Sequence, residues 1–233
     1  FYGLFGIHNF PMPLAIPFTL FVGVFMINSF NLIDGIDGLA GLLALIMFFC
    51  FGFIFVLAED KFLISLLTIL SGSIFAFLRF NFSESRKVFM GDTGSQLLGL
   101  IMFYLVLFLI KSEKINNIPD FNEHGELRII MSVLVFIIPI IDTATVFLIR
   151  IIRNKSPFSS DNAHIHHLIL KKMKSHKLTS IILLLFNLFS VLLFFIIYRT
   201  TPFVVFSSAV PIYFFLLTFL IIRLNFKMGK DHL

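Results

Sequence analysis

Ten consecutive residues, Asn31-Leu32-Ile33-Asp34-Gly35-Ile36-Asp37-Gly38-Leu39-Ala40, set two carboxylates and an amide where one apolar run gives way to the next. If the stretch is helical, Asn31, Asp34 and Asp37 stack at i, i+3 on one broad face. Gly35, Gly38 and Gly41 leave room beside them for another backbone or a ligand. Packing within a bilayer has no use for carboxylates, so the stretch calls for a chemical role. Interfacial acids that merely cap helices are the plainer alternative.

A second stretch, Phe89-Met90-Gly91-Asp92-Thr93-Gly94-Ser95, puts a carboxylate between two glycines at the start of an apolar run. That suits a magnesium ligand beside a phosphate, because magnesium takes one or two carboxylates and completes its shell with phosphate oxygens and water. The following helix start adds amide donors for an anion. An N-cap role for Asp92 or Ser95 is the competing reading.

The third is Asp161-Asn162-Ala163-His164-Ile165-His166-His167. Three His in four positions could hold zinc, but no Cys accompanies them. Hydrogen bonding to phosphate or sugar fits better beside a hard-cation site, and a solvated His-rich loop is the plain reading. Arg150, Arg153 and Lys155 could hold a diphosphate. Asp142 stands eight residues before Arg150, about 12 Å along a helix. It could orient a base or a ligand, or pair with a cation on a neighbouring helix.

The elements that position these groups are membrane spans. Of 233 residues, 58% are hydrophobic and only 13% charged, against about a quarter charged in a soluble domain. The expected fold class is all-α: a polytopic membrane protein of about seven transmembrane helices, forming one domain over residues 1–233. The spans fall near 11–30, 39–58, 62–78, 95–110, 129–149, 178–198 and 202–222, against the roughly 20 apolar residues a bilayer needs. The third and fourth are short, and Pro139 and Pro211 predict kinks. The lone Cys50 excludes an intrachain disulfide.

An odd number of spans puts the termini on opposite sides. Of the 18 Lys and Arg, only Lys61, Lys111, Lys114, Arg128 and Arg199 fall on the side opposite the Asn31 stretch. The positive-inside rule makes the other side cytoplasmic. The net charge of +5 is therefore a topology signal and gives no reason to expect nucleic acid as a partner. All three chemically suggestive stretches share the cytoplasmic side. At the centre of a membrane, Asp34, Asp37, Asp92 and Asp142 would each cost about 2.5–3.5 kcal/mol, so they face water, a cation or one another.

Taken in order, Asn-Leu-Ile-Asp-Gly-Ile-Asp-Gly-Leu-Ala, Gly-Asp-Thr-Gly-Ser and His-Ile-His-His resemble the polyprenyl-phosphate N-acetylhexosamine-1-phosphate transferases. The likeness runs from about Gly3 to His167 and weakens in the last two spans. It implies attack by a membrane polyprenyl phosphate, undecaprenyl phosphate, on the β-phosphate of a UDP-N-acetylhexosamine, with release of UMP. Carried over, Asp92 is the principal Mg2+ ligand and Asn31 the second, with Mn2+ as the substitute ion. Asp34 and Asp37 line the diphosphate site as catalytic residues, with His166. His164 and His167 contact phosphate or sugar. Arg150, Arg153 and Ser156, in a segment ending Ser156-Pro157-Phe158, resemble the loop that closes over the sugar nucleotide.

The implied setting is a bacterial cytoplasmic membrane, with the lipid bilayer and, among candidate partners, a second copy in a homodimer. His-Ile-His-His is more similar to the N-acetylglucosamine enzymes than to the muramoyl-pentapeptide enzyme, so UDP-N-acetylglucosamine is the first expected donor. Another UDP-hexosamine follows, then UDP-MurNAc-pentapeptide. One departure stands out: the family carries an earlier Asp-Asp pair, and no Asp-Asp occurs in this chain. The expectation is that a preceding third is absent from this sequence and that the 233 residues alone are inactive. Two other classes compete, a secondary transporter and a non-catalytic membrane subunit. Transporters favour midplane polar groups and inverted repeats. Here only Asp142 and Pro139 fit that pattern.

Overall fold

The computed structural model describes residues 11–156 and 164–230, with side chains as far as Asn225. The described residues are helical throughout, with no strand. The chain divides into two compact units, residues 1–136 and 137–233.

The first unit holds α1 (Met12–Ile33), α2 (Leu39–Leu57), α3 (Lys61–Asn81) and α4 (Gly91–Lys111), then the short α5 (Pro119–Glu123) and α6 (Leu127–Val135). The second holds α7 (Ile137–Ile152), α8 (Ile165–Met173), α9 (His176–Thr200) and α10 (Phe203–Lys230). Six helices are long and apolar enough to cross a membrane, and α6 with α7 makes a seventh if counted as one broken span. Helices are what such apolar runs must form in hydrocarbon, where each backbone polar group needs a partner within its own segment.

The third and fourth spans are longer than the hydropathy suggested, at 21 residues each. Their polar ends, Arg79 to Asn81 and Gly91 to Ser95, stay helical and carry site residues out of the apolar core. The expected kink at Pro139 appears as a break at Phe136. Proline has no N–H to offer the Val135 carbonyl one turn back, so the ladder is already open there. Pro211 does not interrupt α10.

In the first unit α1 packs on α4 and α2 on α3. The α1–α4 crossing is close because Gly99 permits it: a Cβ there would lie 2.7 Å from Ile27 Cα. Small residues at crossings are the usual way membrane helices gain packing without a hydrophobic drive. Phe30, Leu43, Met47, Phe55, Met102 and Leu105 fill the interior. Phe49, Phe53, Phe75 and Leu97 stand exposed on the outer faces, where lipid would cover them. In the second unit, Phe194 of α9 packs edge-on against Phe206 and Tyr213 of α10, and Val146 and Ile149 of α7 meet Ile222.

The end of α4 is closed by a buried arginine. The Arg128 guanidinium donates to the carbonyls of Ile110 and Ser112, at 3.1 and 3.2 Å, and to the Asn116 side chain. These carbonyls lie at the C-terminal end of α4, where a cation is favoured. Arg128→Met should therefore cost about 2–4 kcal/mol, since it leaves buried acceptors unpaired. Thermal unfolding in detergent checks this. An unchanged midpoint would show that water replaces the guanidinium.

Candidate functional site

Each unit presents one cluster of polar groups. In the first, α1 ends at Ile33 and the chain turns through residues 34–38 before α2. The helical stack of Asn31, Asp34 and Asp37 is thus not formed. Asn31 sits in the last turn of α1, and both aspartates lie in the turn, half-buried. Gly38 closes the turn as the N-cap residue of α2. Its φ is +77°, and a Cβ there would lie 1.9 Å from the Phe82 ring. The space left by Gly38 and Gly41 is filled by Phe82 and Leu78 side chains, so at these two positions a neighbouring helix takes the room.

The turn is tied down by Asn81, the last residue of α3. Its Oδ1 accepts from the Gly38 N–H at 2.5 Å, and its Nδ2 donates to the Val88 carbonyl at 2.8 Å. One buried amide thereby joins the 34–38 turn to the segment leading into α4. Gly38→Ala should be destabilising by about 2–4 kcal/mol, the sum of a left-handed backbone penalty and overpacking against the ring. A midpoint equal to that of the wild type in detergent melts would refute the fit.

On α4, Asp92 lies in the first turn and is exposed. The Ser95 hydroxyl is 2.5 Å from Asn31 Oδ1, and also within reach of the Gly91 and Asp92 carbonyls. The α1–α4 crossing made possible by Gly99 sets this contact. Asp34 is pushed up to about 6, first by burial and then by the charges of Asp92 and Asp37. Three carboxylates therefore feel one another around one spot. Lys87 answers one of them, with Nζ 2.6 Å from Asp37 Oδ2. The donors are hard oxygens from two aspartates, an amide and a third, half-buried acid. That set fits a hard divalent cation.

The second cluster is in the second unit. Asp142, on α7, is buried and receives three groups. His164 Nδ1 and His166 Nδ1 lie 3.1 and 2.9 Å from its Oδ2, and the Ile165 N–H donates to Oδ1 at 2.6 Å. The His motif is not a solvated loop: His164 is the N-cap residue of α8 and His166 lies in its first turn. His164 and His166 are buried, and the three imidazoles pack ring to ring. Burial, then His166 and His164, bring His167 down to about 4. Asp142, His164 and His166 also bring three possible metal-ligating atoms within 4.8 Å of one another.

Arg150 is buried on α7, whereas Arg153 and Ser156 are exposed beyond its end. Pro157, Phe158 and Asp161 lie outside the described residues. Ser95 entered the sequence reading only as a cap, Lys87 only as a topology charge, and Asn81 not at all. Only Lys87 carried a readable signal, a cation five residues before a candidate metal ligand.

Apolar helices that carry an acid turn on one unit and a carboxylate-held histidine motif on the other make this a polytopic membrane protein with two polar clusters. Residues 1–110 match the family model described as glycosyl transferase family 4. The chain belongs to that family. It is 31% identical over 174 residues to a Bacillus subtilis protein named as a probable undecaprenyl-phosphate N-acetylglucosaminyl 1-phosphate transferase, covering 74% of this chain and 45% of the relative. Two proteins named undecaprenyl-phosphate alpha-N-acetylglucosaminyl 1-phosphate transferase also match over 162 residues: that of Escherichia coli K12 at 29% identity and that of Salmonella typhi at 28%. Each alignment covers 68% of this chain and 41% of the relative. The aligned stretch is thus less than half the length of these relatives. No solved structure matches the chain.

Proposed function

We propose that this chain carries the N-acetylhexosamine-1-phosphate transfer of its family, with UDP-N-acetylglucosamine as donor and undecaprenyl phosphate as acceptor. An oxygen of the lipid phosphate attacks the β-phosphorus of the nucleotide sugar. The bond from that phosphorus to the α-phosphate oxygen breaks, UMP leaves, and a lipid diphosphate sugar remains. The observation that carries this reading is the acid turn, in which Asn31, Asp34, Asp37 and Asp92 gather where apolar helices end. The names of the relatives support the sugar and the lipid.

Asn31 and Asp92 are the residues that would hold magnesium, which when bound neutralises negative charge on the diphosphate. Manganese is the expected substitute. Asp34 and Asp37 shape the diphosphate site, and Lys87 holds Asp37 in place. His164, His166 and His167 contact phosphate or sugar. Arg150, Arg153 and Ser156 bind the sugar nucleotide. Most of the rate comes from positioning and charge stabilisation, as is general for phosphoryl transfer. The distribution of Lys and Arg supports a cytoplasmic orientation of the reacting ends.

The test uses the full-length gene product in detergent with undecaprenyl phosphate, magnesium and UDP-N-acetylglucosamine, with UMP as readout. Release that needs both lipid and magnesium is expected. Release only with another UDP-hexosamine or UDP-MurNAc-pentapeptide would overturn the sugar. No release with any of them would favour a non-catalytic subunit.

A further inference from the structure

Asp142 takes part in no step of the proposed reaction, yet it is buried and bonded to three groups. Its Oδ2 lies within hydrogen-bond length of two imidazole Nδ1 atoms, and its Oδ1 takes the Ile165 N–H. A carboxylate is an acceptor only, so each facing ring nitrogen must be the one that carries the proton. In its neutral form each ring is therefore the Nδ1–H tautomer, with the lone pair on Nε2. For His166 that nitrogen is buried and has no hydrogen-bond partner among the described residues. A buried acceptor without a donor is costly to leave unmet.

We propose that Asp142 is a positioning residue that fixes His164 and His166 as Nδ1–H tautomers, so that His166 Nε2 faces substrate as an acceptor. It follows which part of the substrate His166 reads. A neutral Nε2 lone pair takes a hydroxyl or an amide N–H, and an ionised phosphate has neither. In that neutral form the partner of His166 is a hydroxyl or the acetamido N–H of the donor sugar. The consequence for turnover rests on the transferase reading, whereas the tautomer assignment does not.

A bound metal ion is the competing explanation, since Asp142, His164 and His166 each offer a ligand atom within 4.8 Å of the others. Hydrogen bonding is favoured because every contact at Asp142 already has a donor. Only His166 Nε2, on the far side of its ring, is left over.

Asp142→Asn keeps the shape and reverses the polarity. With the amide oxygen retained by the Ile165 N–H, the NH2 group points its two hydrogens at the two Nδ1 atoms. Both rings must then become Nε2–H tautomers, and His166 meets the sugar donor with a donor. The experiment labels histidine with nitrogen-15 in the full-length protein and reads the ring shifts in detergent or nanodiscs. In the wild type, His166 Nδ1 is expected to be protonated and Nε2 bare, and in Asp142→Asn the two are exchanged.

In the same preparations, kcat/KM for the UDP-sugar should fall about 10- to 100-fold, carried by KM. KM for undecaprenyl phosphate should stay within about twofold. A merely structural loss would reduce active protein and move neither KM. In a His166→Ala background the Asp142→Asn change should cost little further, because the two act as a unit. Unchanged tautomers, full additivity with His166→Ala, or one zinc per chain that depends on Asp142 would each overturn the proposal. If the wild type turns over no UDP-sugar, the reaction reading fails, and the ring shifts still decide the role of Asp142.

Discussion

Asp92→Ala in the full-length protein is expected to reduce magnesium-dependent UMP release by at least about 100-fold, with no loss of folded protein. The size follows from what magnesium would do at the diphosphate. Charge that builds on bridging and leaving oxygens is the main obstacle in phosphoryl transfer, and removing a single group that stabilises such charge costs about 100- to 1,000-fold in comparable sites. A charged ligand that positions the cation should cost no less. The expectation of intact folding comes from geometry. Asp92 is exposed in the first turn of α4, and its side chain fills no cavity.

Its charge also raises Asp34, together with that of Asp37. Removing it relieves repulsion, so the metal-free melting temperature of Asp92→Ala should equal or slightly exceed that of the wild type. Magnesium titrations of both activity and melting check the pair of expectations. Activity persisting at ordinary magnesium would rule out Asp92 as the main ligand. A large drop in the metal-free melting temperature would mean that the residue holds structure instead.

The sequence and the structure agree where one-dimensional pattern is enough. Hydropathy locates the spans to within a few residues because a bilayer demands about 20 apolar residues in a row. Asp34, Asp37, Asp92 and Asp142 stood out because carboxylates are expensive in such company. What pattern does not carry is pairing across distance. The Gly38–Asn81 bond spans 43 residues and the Lys87–Asp37 pair 50. Neither leaves a periodic trace, since a single amide or ammonium looks the same whether it faces water or a turn. As a sequence the acid stretch is helix-compatible at i, i+3, but α1 ends at Ile33 and the chain turns through 34–38 to a left-handed Gly38 before α2. Asp142 shows the same limit from the other side: its cost was legible, its partners 22 and 24 residues away were not.

His166→Ala should lower kcat/KM by at least about 100-fold, and His176→Ala by less than about twofold. The two residues differ in setting more than in chemistry. His166 is buried, bonded through Nδ1 to Asp142 and stacked among His164 and His167. His176 is exposed at the first position of α9. A general acid–base or hydrogen-bonding imidazole in contact with substrate is worth about 100- to 10,000-fold, whereas His176 stands outside the buried Asp142 cluster. Removing the His166 ring also empties a buried volume, which should cost about 2–4 kcal/mol of stability, by analogy with other large-to-small changes. Melting curves must therefore accompany the kinetics, and rates be counted per folded molecule. On that footing, equal effects at the two positions would demote the histidine motif to a packing element. A large activity loss confined to His166, with folded protein present, would leave contact with substrate as its role.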